Sequence, residues 1–285
     1  MDNNNALPWV WINGRMTPTA EARVSIFDRS FLYGDGLFET LPLRGGKPFR
    51  WEQHWDRLVR GAEFVGIRLP FRADELLGGM KEIMRLCGQY DVLARIHVSR
   101  GEGPRGYGTR GCDHPTVVLT LFPLANRPGG QPLRWRLITA SIRQPSGDRL
   151  SAYKHASKLA NVVARREAEL AGADEALLLN SQGHLTESAS GNVFWLESAT
   201  LLTPPIAAGA LAGVTRELVI EIARREGWEI KETLAPADRL LQADGAFLTT
   251  SGSGMIIAES LDNTTLKRSL IVDQLAELYR RESAA

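Results

Sequence analysis

The pattern of hydrophobic and polar positions divides the chain into short strands and amphipathic helices. Apolar runs bounded by turn residues predict strands at 9–13, 37–44, 47–51, 92–99, 115–122, 135–142, 175–179, 184–196, 228–233 and 246–250. Apolar residues at helical spacing predict helices at 51–65, 73–86, 154–170, 215–225 and 269–281. Strands and helices are mixed without strict alternation and without an internal repeat, so the predicted fold class is mixed α/β, or α+β.

The segment most typical of a linker is 123–132, which has the sequence PLANRPGGQP. Proline and paired glycines interrupt regular structure and are common between domains. At 285 residues the chain is long enough for two medium-sized domains. We therefore predict an N-terminal α/β domain at 1–122, a linker at 123–132 and a C-terminal domain at 133–285 that carries the lysines discussed below.

Composition narrows the class of partner. The chain is 44% hydrophobic and 24% charged, with a net charge of +1, as in an ordinary globular protein. It has no basic run with interleaved aromatic residues, so we expect no nucleic-acid partner. Without a bilayer-length apolar segment or the regions of a signal peptide, we expect no membrane partner. Cys87 and Cys112 give no disulfide framework, which is typical of a cytoplasmic protein.

Neither a metal site nor a nucleotide site is predicted. The five histidines lack the spacing of metal ligands, and the sequence CDH at 112–114 is too short to supply a full coordination shell. The sequence GDG at 34–36 precedes a strand, whereas a dinucleotide fingerprint opens a helix. The loop at 100–111 lacks the Gly-Lys-Ser/Thr ending of a P-loop, and its many glycines are typical of a functional loop.

Two lysines raise a question about catalysis. Lys154 and Lys158 lie four residues apart in 151–161, a stretch that is otherwise largely small and apolar. The ordinary explanation is that both lie on the surface of a helix. The alternative is that one amine is a nucleophile kept in a dry pocket. The spacing by itself does not decide between the two lysines.

Two stretches could bind phosphate. The sequence LAGVTR at 211–216 leads into the helix predicted near Thr215, and free amides at a helix start attract anions, helped by the helix dipole. Gly213 would let the backbone approach a ligand closely, although Thr215 would also serve as a plain helix cap. The sequence TTSGSG at 249–254 offers hydroxyls and unhindered amides as a second wall, or it is a polar turn.

Glu187 is an acidic residue in a predicted strand, just after a turn. A carboxylate in this position usually points into solvent. The alternative is that it faces inward and holds a cationic group, whose attraction offsets the cost of burying the carboxylate. The chain between Lys154 and Glu187 is long enough for one helix and one hairpin to bring the two together.

Taken together, these stretches resemble the class IV aminotransferase family, the fold-type IV enzymes that use pyridoxal phosphate. The resemblance runs from about residue 24 to residue 258, in the family's order and spacing. The stretches that carry it are YGDGLFET at 33–40, HWDRL at 54–58, SRGEGPRGY at 99–107, KHASKLAN at 154–161, LTE with NVF within 185–194, and LAGVTR at 211–216.

The resemblance implies a two-lobed fold like that of D-amino-acid aminotransferase, pyridoxal 5′-phosphate as cofactor, and a homodimer. It assigns Lys154 as the lysine that binds the cofactor covalently and then serves as the base beside the substrate carbon. It assigns Glu187 to the protonated pyridine nitrogen, which keeps the ring an electron sink. The other cofactor-binding residues it implies are Arg57, Val214, Thr215 and Ser251 at the phosphate, and Leu211 at one face of the ring.

The implied substrate-binding residues are Phe38, Thr40, Arg105, Tyr107 and Gly252. Phe38 and Thr40 are two apart on one strand, so both face the same side, and the resemblance makes Thr40 a second catalytic candidate beside Lys154. Arg105 and Tyr107 lie in the glycine-rich loop, where a guanidinium fork is suited to a substrate carboxylate.

The sequences RGY at 105–107, KH at 154–155 and FET at 38–40 resemble aminodeoxychorismate lyases. Leu159 stands where branched-chain enzymes usually carry tyrosine. The implied activity is therefore 4-amino-4-deoxychorismate lyase, which forms 4-aminobenzoate and pyruvate in the folate pathway. Ser251 and Ile257 depart from the common threonine and proline. The alternative is a transaminase that uses D-amino acids, or branched-chain or other small amino donors, with a keto-acid acceptor.

Overall fold

The computed structural model describes residues 6–124 and 132–284. In these residues the strands are β1 (Trp9–Ile12), β2 (Arg15–Pro18), β3 (Gly36–Arg44), β4 (Lys47–Pro48), β5 (Val92–Ser99), β6 (Thr116–Pro123), β7 (Leu133–Gln144), β8 (Glu175–Asn180), β9 (Leu185–Ser188), β10 (Asn192–Glu197), β11 (Thr200–Thr203), β12 (Ile230–Glu232), β13 (Gly245–Thr250), β14 (Gly254–Leu261) and β15 (Thr264–Thr265). The α-helices are α1 (Arg29–Tyr33), α2 (Trp51–Val65), α3 (Ala73–Cys87), α4 (Leu159–Leu170), α5 (Val214–Arg225), α6 (Arg239–Gln242) and α7 (Leu270–Ala284). The predicted mixed α/β fold class is confirmed.

The chain forms two compact units. The first comprises Met1–Asn126 with Tyr153–Ser157, and the second comprises Arg127–Ala152 with Lys158–Ala285. Lys154, which the sequence analysis assigned to the C-terminal domain, therefore groups with the first unit. Residues 125–131 of the expected linker lie outside the described part of the chain, and the domain boundaries stay a prediction.

The first unit is built on a six-stranded antiparallel sheet in the order β2-β1-β6-β5-β3-β4. Helix α2 packs against β3, and α3 packs against β1 and β6. Apolar side chains such as Leu41, Met80 and Leu119 fill the space between the helices and the sheet. This core holds β3 and α2 together, and both elements carry candidate site residues.

A glycine lets α2 approach β3 closely. A Cβ added at Gly61 would lie 3.2 Å from Leu37 Cδ1, tighter than ordinary van der Waals contact, and Leu37 is fully buried. The helix backbone therefore lies directly over the strand. As a result, side chains on the inner face of α2 reach those of β3 that point toward the helix.

The second unit contains a mixed sheet. Eight strands follow the order β12-β11-β10-β13-β14-β7-β8-β9, and β15 pairs with β14. The pairs β11/β12, β14/β7 and β7/β8 are parallel. Helix α4 packs its buried alanines, Ala164 and Ala168, against β7 and β8. Every residue of β8 is buried, as is typical of a strand covered on both faces.

The prediction of a helix at 154–170 is wrong at its start, because α4 begins only at Leu159. Segment 153–157 instead runs beside β3. The Phe38 amide donates to the Lys154 carbonyl at 2.9 Å, and the Ala156 amide donates to the Gly36 carbonyl at 2.8 Å. These bonds satisfy backbone groups that a helix would otherwise pair internally. Lys154 is therefore not a helix-surface lysine.

The strand predicted at 184–196 is two strands, β9 and β10, separated by a tight turn. The Ser188 amide donates to the Gly191 carbonyl at 2.6 Å. A Cβ at Gly191 would lie 2.3 Å from the Thr249 carbonyl oxygen, so the turn passes too close to β13 for any other residue. The turn lies between Glu187 and Asn192, and it sets where each of them points.

In residues 6–124 and 132–284, no helix combines the length and the apolar character needed to cross a bilayer. The described residues also hold no group of three His, Cys, Asp or Glu side chains that could bind a metal ion. Both cysteines, Cys87 and Cys112, are free thiols, and Cys112 is buried.

Candidate active site

Lys154 is held beside β3 by the extended segment 153–157. Its amine lies over the ring of Phe38, with 4.5 Å between Nζ and the ring centroid. The face of an aromatic ring attracts a cationic amine through the ring quadrupole. Lys154 is half-buried. Backbone hydrogen bonds thus fix the main chain of Lys154, and the Phe38 ring restricts its side chain.

A second cation contacts the same ring. Arg95 lies on β5 directly opposite Thr40, and its guanidinium carbon is 4.1 Å from the Phe38 centroid. Burial lowers the pKa of Arg95. Among the described residues, no carboxylate lies within ion-pair distance of this guanidinium. Arg95 therefore presents a half-buried positive charge that no side-chain carboxylate neutralises.

Arg95 was not among the predicted site residues, because no motif marks it. The signal that could have found it is the strand register, since Phe38 pairs with His97 and Thr40 pairs with Arg95. Opposed residues of antiparallel strands point to the same face. Phe38, Thr40, Arg95 and His97 therefore share one face of the sheet.

His97 adds a polar group to that face. Its Nε2 lies 2.9 Å from Ser30 Oγ, in a contact whose donor depends on the tautomer. Burial and the charge of Arg95 lower the pKa of His97, against an opposing effect of Asp28. The neutral imidazole is thus favoured, and it bonds a hydroxyl rather than adding a third cation.

The opposite face of β3 carries a buried ion pair. Arg57 Nε donates to Glu39 Oε1 at 2.8 Å, and Arg57 Nη2 donates to Glu39 Oε2 at 2.7 Å. His54 Nδ1 lies 2.7 Å from Glu39 Oε2. Burial alone would raise the pKa of Glu39, but the charge of Arg57 and hydrogen bonds from Arg57 and His54 lower it to about 2. Arg57 is therefore a buried arginine and not a surface one.

The predicted substrate residues of the glycine-rich loop lie at its exposed tip. Arg105 is exposed, and Tyr107 is 86% exposed. Gly106 between them is held on both sides, because Arg29 Nη1 donates to its carbonyl at 2.9 Å and its amide donates to the Tyr33 hydroxyl at 3.2 Å. The backbone of the tip is thus anchored, while the two side chains on either side of Gly106 point outward.

Glu187 is buried in the second unit, at 8% exposure, as the inward-facing alternative required. Its Oε2 accepts a hydrogen bond of 3.0 Å from the Leu211 amide. The Leu211 carbonyl in turn accepts a bond of 2.8 Å from Asn192 Nδ2. The backbone of Leu211 is therefore fixed from both sides, and it orients the Glu187 carboxylate.

Lys158 also belongs to the second unit, where α4 starts. Burial lowers the pKa of Lys158, and the charges of Glu187 and Asp148 oppose that effect. Lys154 and Lys158 are thus in different surroundings: one lies on an aromatic ring beside β3, the other near the buried Glu187. Both amines are half-buried, so burial alone does not distinguish them.

Helix α5 begins at Val214 and has Gly213 as its N-cap, with no capping side chain among the described residues. Thr215 is a buried residue of the first turn, so the alternative of capping by Thr215 is wrong. A Cβ at Gly213 would lie 2.1 Å from Asn192 Oδ1, so a larger residue here would have to displace the Asn192 side chain. The amides of Val214 and Thr215 belong to the first turn, whose N–H groups have no partner within the helix.

A buried hydroxyl without a partner lies in the same neighbourhood. Thr249 pairs with Asn192 across β13 and β10, so both side chains point to the same face. Thr249 Oγ1 has no hydrogen-bond partner among the described residues, although the residue is 2% exposed. Ser251 and Gly252 follow in the half-buried turn after β13. The helix start without a capping side chain and the unpartnered Thr249 hydroxyl together fit a bound anion such as a phosphate group.

Comparison with known proteins identifies the class. The sequence model of the amino-transferase class IV family matches residues 36–261. The chain belongs to the class IV aminotransferases.

Individual relatives differ in activity. The chain is 32% identical to a protein of Methanocaldococcus jannaschii provisionally named branched-chain-amino-acid aminotransferase, covering 92% of this chain and 91% of that one. It is also 32% identical to the aminodeoxychorismate lyase of Bacillus subtilis, covering 85% and 83%. The crystal structure of a branched-chain amino acid aminotransferase from T.th., solved with pyridoxamine 5′-phosphate, superposes with a TM-score of 0.89 at 27% identity, covering 96% and 93%.

Family membership settles the class of chemistry. The chain is an enzyme, its fold is that of the fold-type IV aminotransferases, and its cofactor is pyridoxal 5′-phosphate. The family resemblance and the implied cofactor are thus confirmed. The relatives include both lyases and transaminases, so membership does not select between these two activities.

Glu39 should make the fold sensitive to acid. Its pKa in the folded protein is about 2, below the ordinary value of 4.5, so its stabilisation is complete above pH 4.5 and is lost as the pH falls toward 2. Urea unfolding at about pH 6 and about pH 3 should show a smaller loss of unfolding free energy in Glu39→Gln than in the wild type. Glu63→Gln, at an exposed carboxylate, is the control and should keep the wild-type loss. Equal losses in Glu39→Gln and the wild type would contradict the assignment.

Proposed function

We propose that this enzyme acts on an amino substrate that carries a carboxylate, with Lys154 as the cofactor lysine. The observation that supports this most is the Phe38 ring, which has the Lys154 amine at 4.5 Å and the Arg95 guanidinium at 4.1 Å from its centroid. The Lys154 amine is held in one place, and the Arg95 guanidinium beside it has no carboxylate partner among the described residues. This arrangement can bind an anionic substrate. Arg95 therefore joins the proposed substrate residues.

When bound, pyridoxal phosphate supplies an aldehyde for covalent attachment and a ring that accepts electrons from the substrate carbon. The amine of Lys154 is the proposed attachment point, and once displaced it would remove the proton from the substrate carbon next to nitrogen. Thr40 shares the sheet face of Phe38, and its hydroxyl would help to orient the reacting group. Phe38 would form an apolar wall that limits how the substrate sits.

The proposed cofactor contacts follow from the donors and acceptors described above. Glu187, oriented by the Leu211 amide at 3.0 Å, would hold the protonated ring nitrogen, because a buried carboxylate favours a cationic partner. Leu211 itself would pack on a ring face. The proposed phosphate contacts are the amides of Val214 and Thr215, the hydroxyl and amide of Ser251, and the guanidinium of Arg57.

Within the family, we propose 4-amino-4-deoxychorismate lyase as the specific activity. The sequence Arg105-Gly106-Tyr107 supports it, as does the Bacillus subtilis lyase among the relatives. Aminodeoxychorismate carries two carboxylates, and the first unit offers two arginines for them, Arg95 and Arg105. Tyr107 and Gly252 would complete the substrate contacts. The products would be 4-aminobenzoate and pyruvate.

A transaminase is the second candidate. It is favoured by the Methanocaldococcus jannaschii relative, which matches more of the chain than the lyase does, at 92% against 85%. Arg95 would then hold the carboxylate of an amino acid or of a keto-acid acceptor. The donor would be a D-amino acid, or a branched-chain or other small amino acid.

The covalent lysine can be identified directly. Borohydride reduction of the yellow holoenzyme, followed by peptide mass mapping, should place the cofactor on Lys154. Lys158→Arg is the matched control, since Lys158 is half-buried in the same stretch, and it should keep the label. Lys154→Arg should lose the label, and its activity should fall by roughly 10³-fold, because general-base catalysis alone contributes about 10²–10⁴. A label on Lys158 would refute the assignment.

Pyruvate release separates the two candidate activities. With aminodeoxychorismate and no keto acid, the lyase should release pyruvate over many turnovers. A transaminase given an amino acid alone should convert about one equivalent of cofactor to the amine form and stop, because it then needs an acceptor. Spectra of the cofactor, recorded beside a coupled pyruvate assay, distinguish the outcomes. No sustained pyruvate release, together with a complete amino-acid half-reaction, would favour the transaminase.

We also propose that the enzyme is a homodimer in the cytoplasm. Apolar side chains cluster around α1, where Phe31 is 73% exposed and Ile26 is 66% exposed, and Val24, Phe27 and Leu32 are exposed beside them. Exposed apolar side chains grouped along one short segment mark a candidate interaction surface. The unpaired cysteines, Cys87 and Cys112, favour a reducing compartment.

Light scattering on the purified enzyme should give the mass of a dimer. Phe31→Glu should shift it toward the monomer, because a charge in an apolar interface is costly to bury. Leu270→Glu is the control, since this leucine on α7 is 86% exposed and does not belong to the group around α1. A monomeric wild type, or a Phe31→Glu variant that stays dimeric, would count against this surface.

A further inference from the structure

The ion pair between Glu39 and Arg57 is deeply buried, and so is the neighbouring His54. The exposed fractions of the Arg57 and Glu39 side chains are 4% and 1%, and that of His54 is 1%. Buried ion pairs often contribute no more stability than apolar side chains of the same size, because desolvation offsets the attraction. Three polar groups at this depth therefore call for an explanation other than stability.

The geometry of the pair fixes the plane of the guanidinium. Two parallel hydrogen bonds, from Nε and from Nη2, join one edge of Arg57 to both oxygens of Glu39. His54 lies three residues before Arg57 on the same face of α2, and its Nδ1 contacts Glu39 Oε2 at 2.7 Å. Glu39 is thus held by α2 at two points and by its own strand.

We propose that Glu39 is a positioning residue that acts through Arg57, orienting the guanidinium for the phosphate group of the cofactor. The inference rests on the proposed role of Arg57 as a phosphate contact. A guanidinium presents five N–H donors in a rigid fork. Once Glu39 holds one edge, the direction of the remaining donors is set before the ligand arrives, so less rotational freedom is lost on binding.

The charge of Glu39 has an opposing effect on phosphate binding. The carboxylate of Glu39 is negative, so it also reduces the net attraction of Arg57 for a phosphate. The phosphate, however, is recognised through hydrogen bonds whose strength depends on direction, and removing Glu39 takes away the two bonds that fix the plane of the Arg57 guanidinium. We therefore expect orientation to dominate, and loss of Glu39 to weaken binding.

The test is a double-mutant cycle on cofactor affinity. Apoprotein of the wild type, Glu39→Gln, Arg57→Met and the double variant is titrated with pyridoxal 5′-phosphate, and the Kd is read from cofactor absorbance. Glu39→Gln should raise the Kd by roughly tenfold, the lower end of the loss seen when a group that orients a metal-binding residue is removed. The double variant should bind as Arg57→Met does, because Glu39 acts only through Arg57. Effects that multiply independently, or a Kd for Glu39→Gln equal to or below that of the wild type, would overturn the proposal.

Pyridoxal, which lacks the phosphate, serves as the matched ligand. Its affinity should change by less than about twofold in Glu39→Gln, which is within the usual error of additivity, whereas a general distortion of the site would weaken both ligands alike. Asp35→Asn is the matched variant, since Asp35 Oδ2 accepts from Arg29 and Arg100 at 2.8 Å each in the same unit and does not contact Arg57. This variant should keep the wild-type Kd for the cofactor.

Two results distinguish the positioning role of Glu39 from the proposed role of Arg57 as a phosphate contact. If Arg57→Met leaves the Kd unchanged, Arg57 is not a phosphate contact, and both proposals about it fail. If Arg57→Met weakens binding and Glu39→Gln does not, only the positioning role fails. Circular dichroism and thermal unfolding of each apoprotein establish folding. Should Glu39→Gln not fold, Glu39→Asp takes its place in the cycle, since it keeps the charge and shortens the reach.

Discussion

The pairing of segment 153–157 with β3 determines where the Lys154 amine lies. A lysine side chain has many rotamers, so a defined backbone is the first condition for a defined amine position. The hydrogen bond from the Phe38 amide to the Lys154 carbonyl supplies that backbone, and the Phe38 ring then restricts the side chain. Both contacts come from one residue. The position of the Lys154 amine thus depends on the edge of strand β3 rather than on a helix face.

Elements with a strong period of their own were predictable from the sequence. Helix α2 at Trp51–Val65 and strand β5 at Val92–Ser99 were found with the right bounds, because local spacing determines them. The first turn of the predicted helix at 154–170 failed for a different reason. Its partner, β3, lies far away along the chain, and helical spacing in the segment carries no information about a distant strand.

The same limit applies to the candidate site. Resemblance to a family pointed to single residues such as Arg57 and Glu187, and the burial of Glu187 agrees with the inward-facing alternative. It did not reveal what surrounds them. Arg95 and the contact of Glu39 with Arg57 follow from strand register and from the docking of α2, and both depend on tertiary packing. A sequence pattern indicates candidate site residues, whereas the residues that contact them are known only from the three-dimensional structure.

Strand β3 has two chemically different sides. Phe38 and Thr40 lie on the side that carries the Lys154 amine and the Arg95 guanidinium, while Glu39 points the other way, into the ion pair with Arg57. Since neighbouring residues of a strand alternate between faces, inserting or deleting one residue here would exchange the two sides at once. Substitutions at even-numbered positions, by contrast, leave the odd-numbered face intact. The surroundings of Lys154 and Arg95 can therefore change along this strand while the ion pair of Glu39 with Arg57 stays in place.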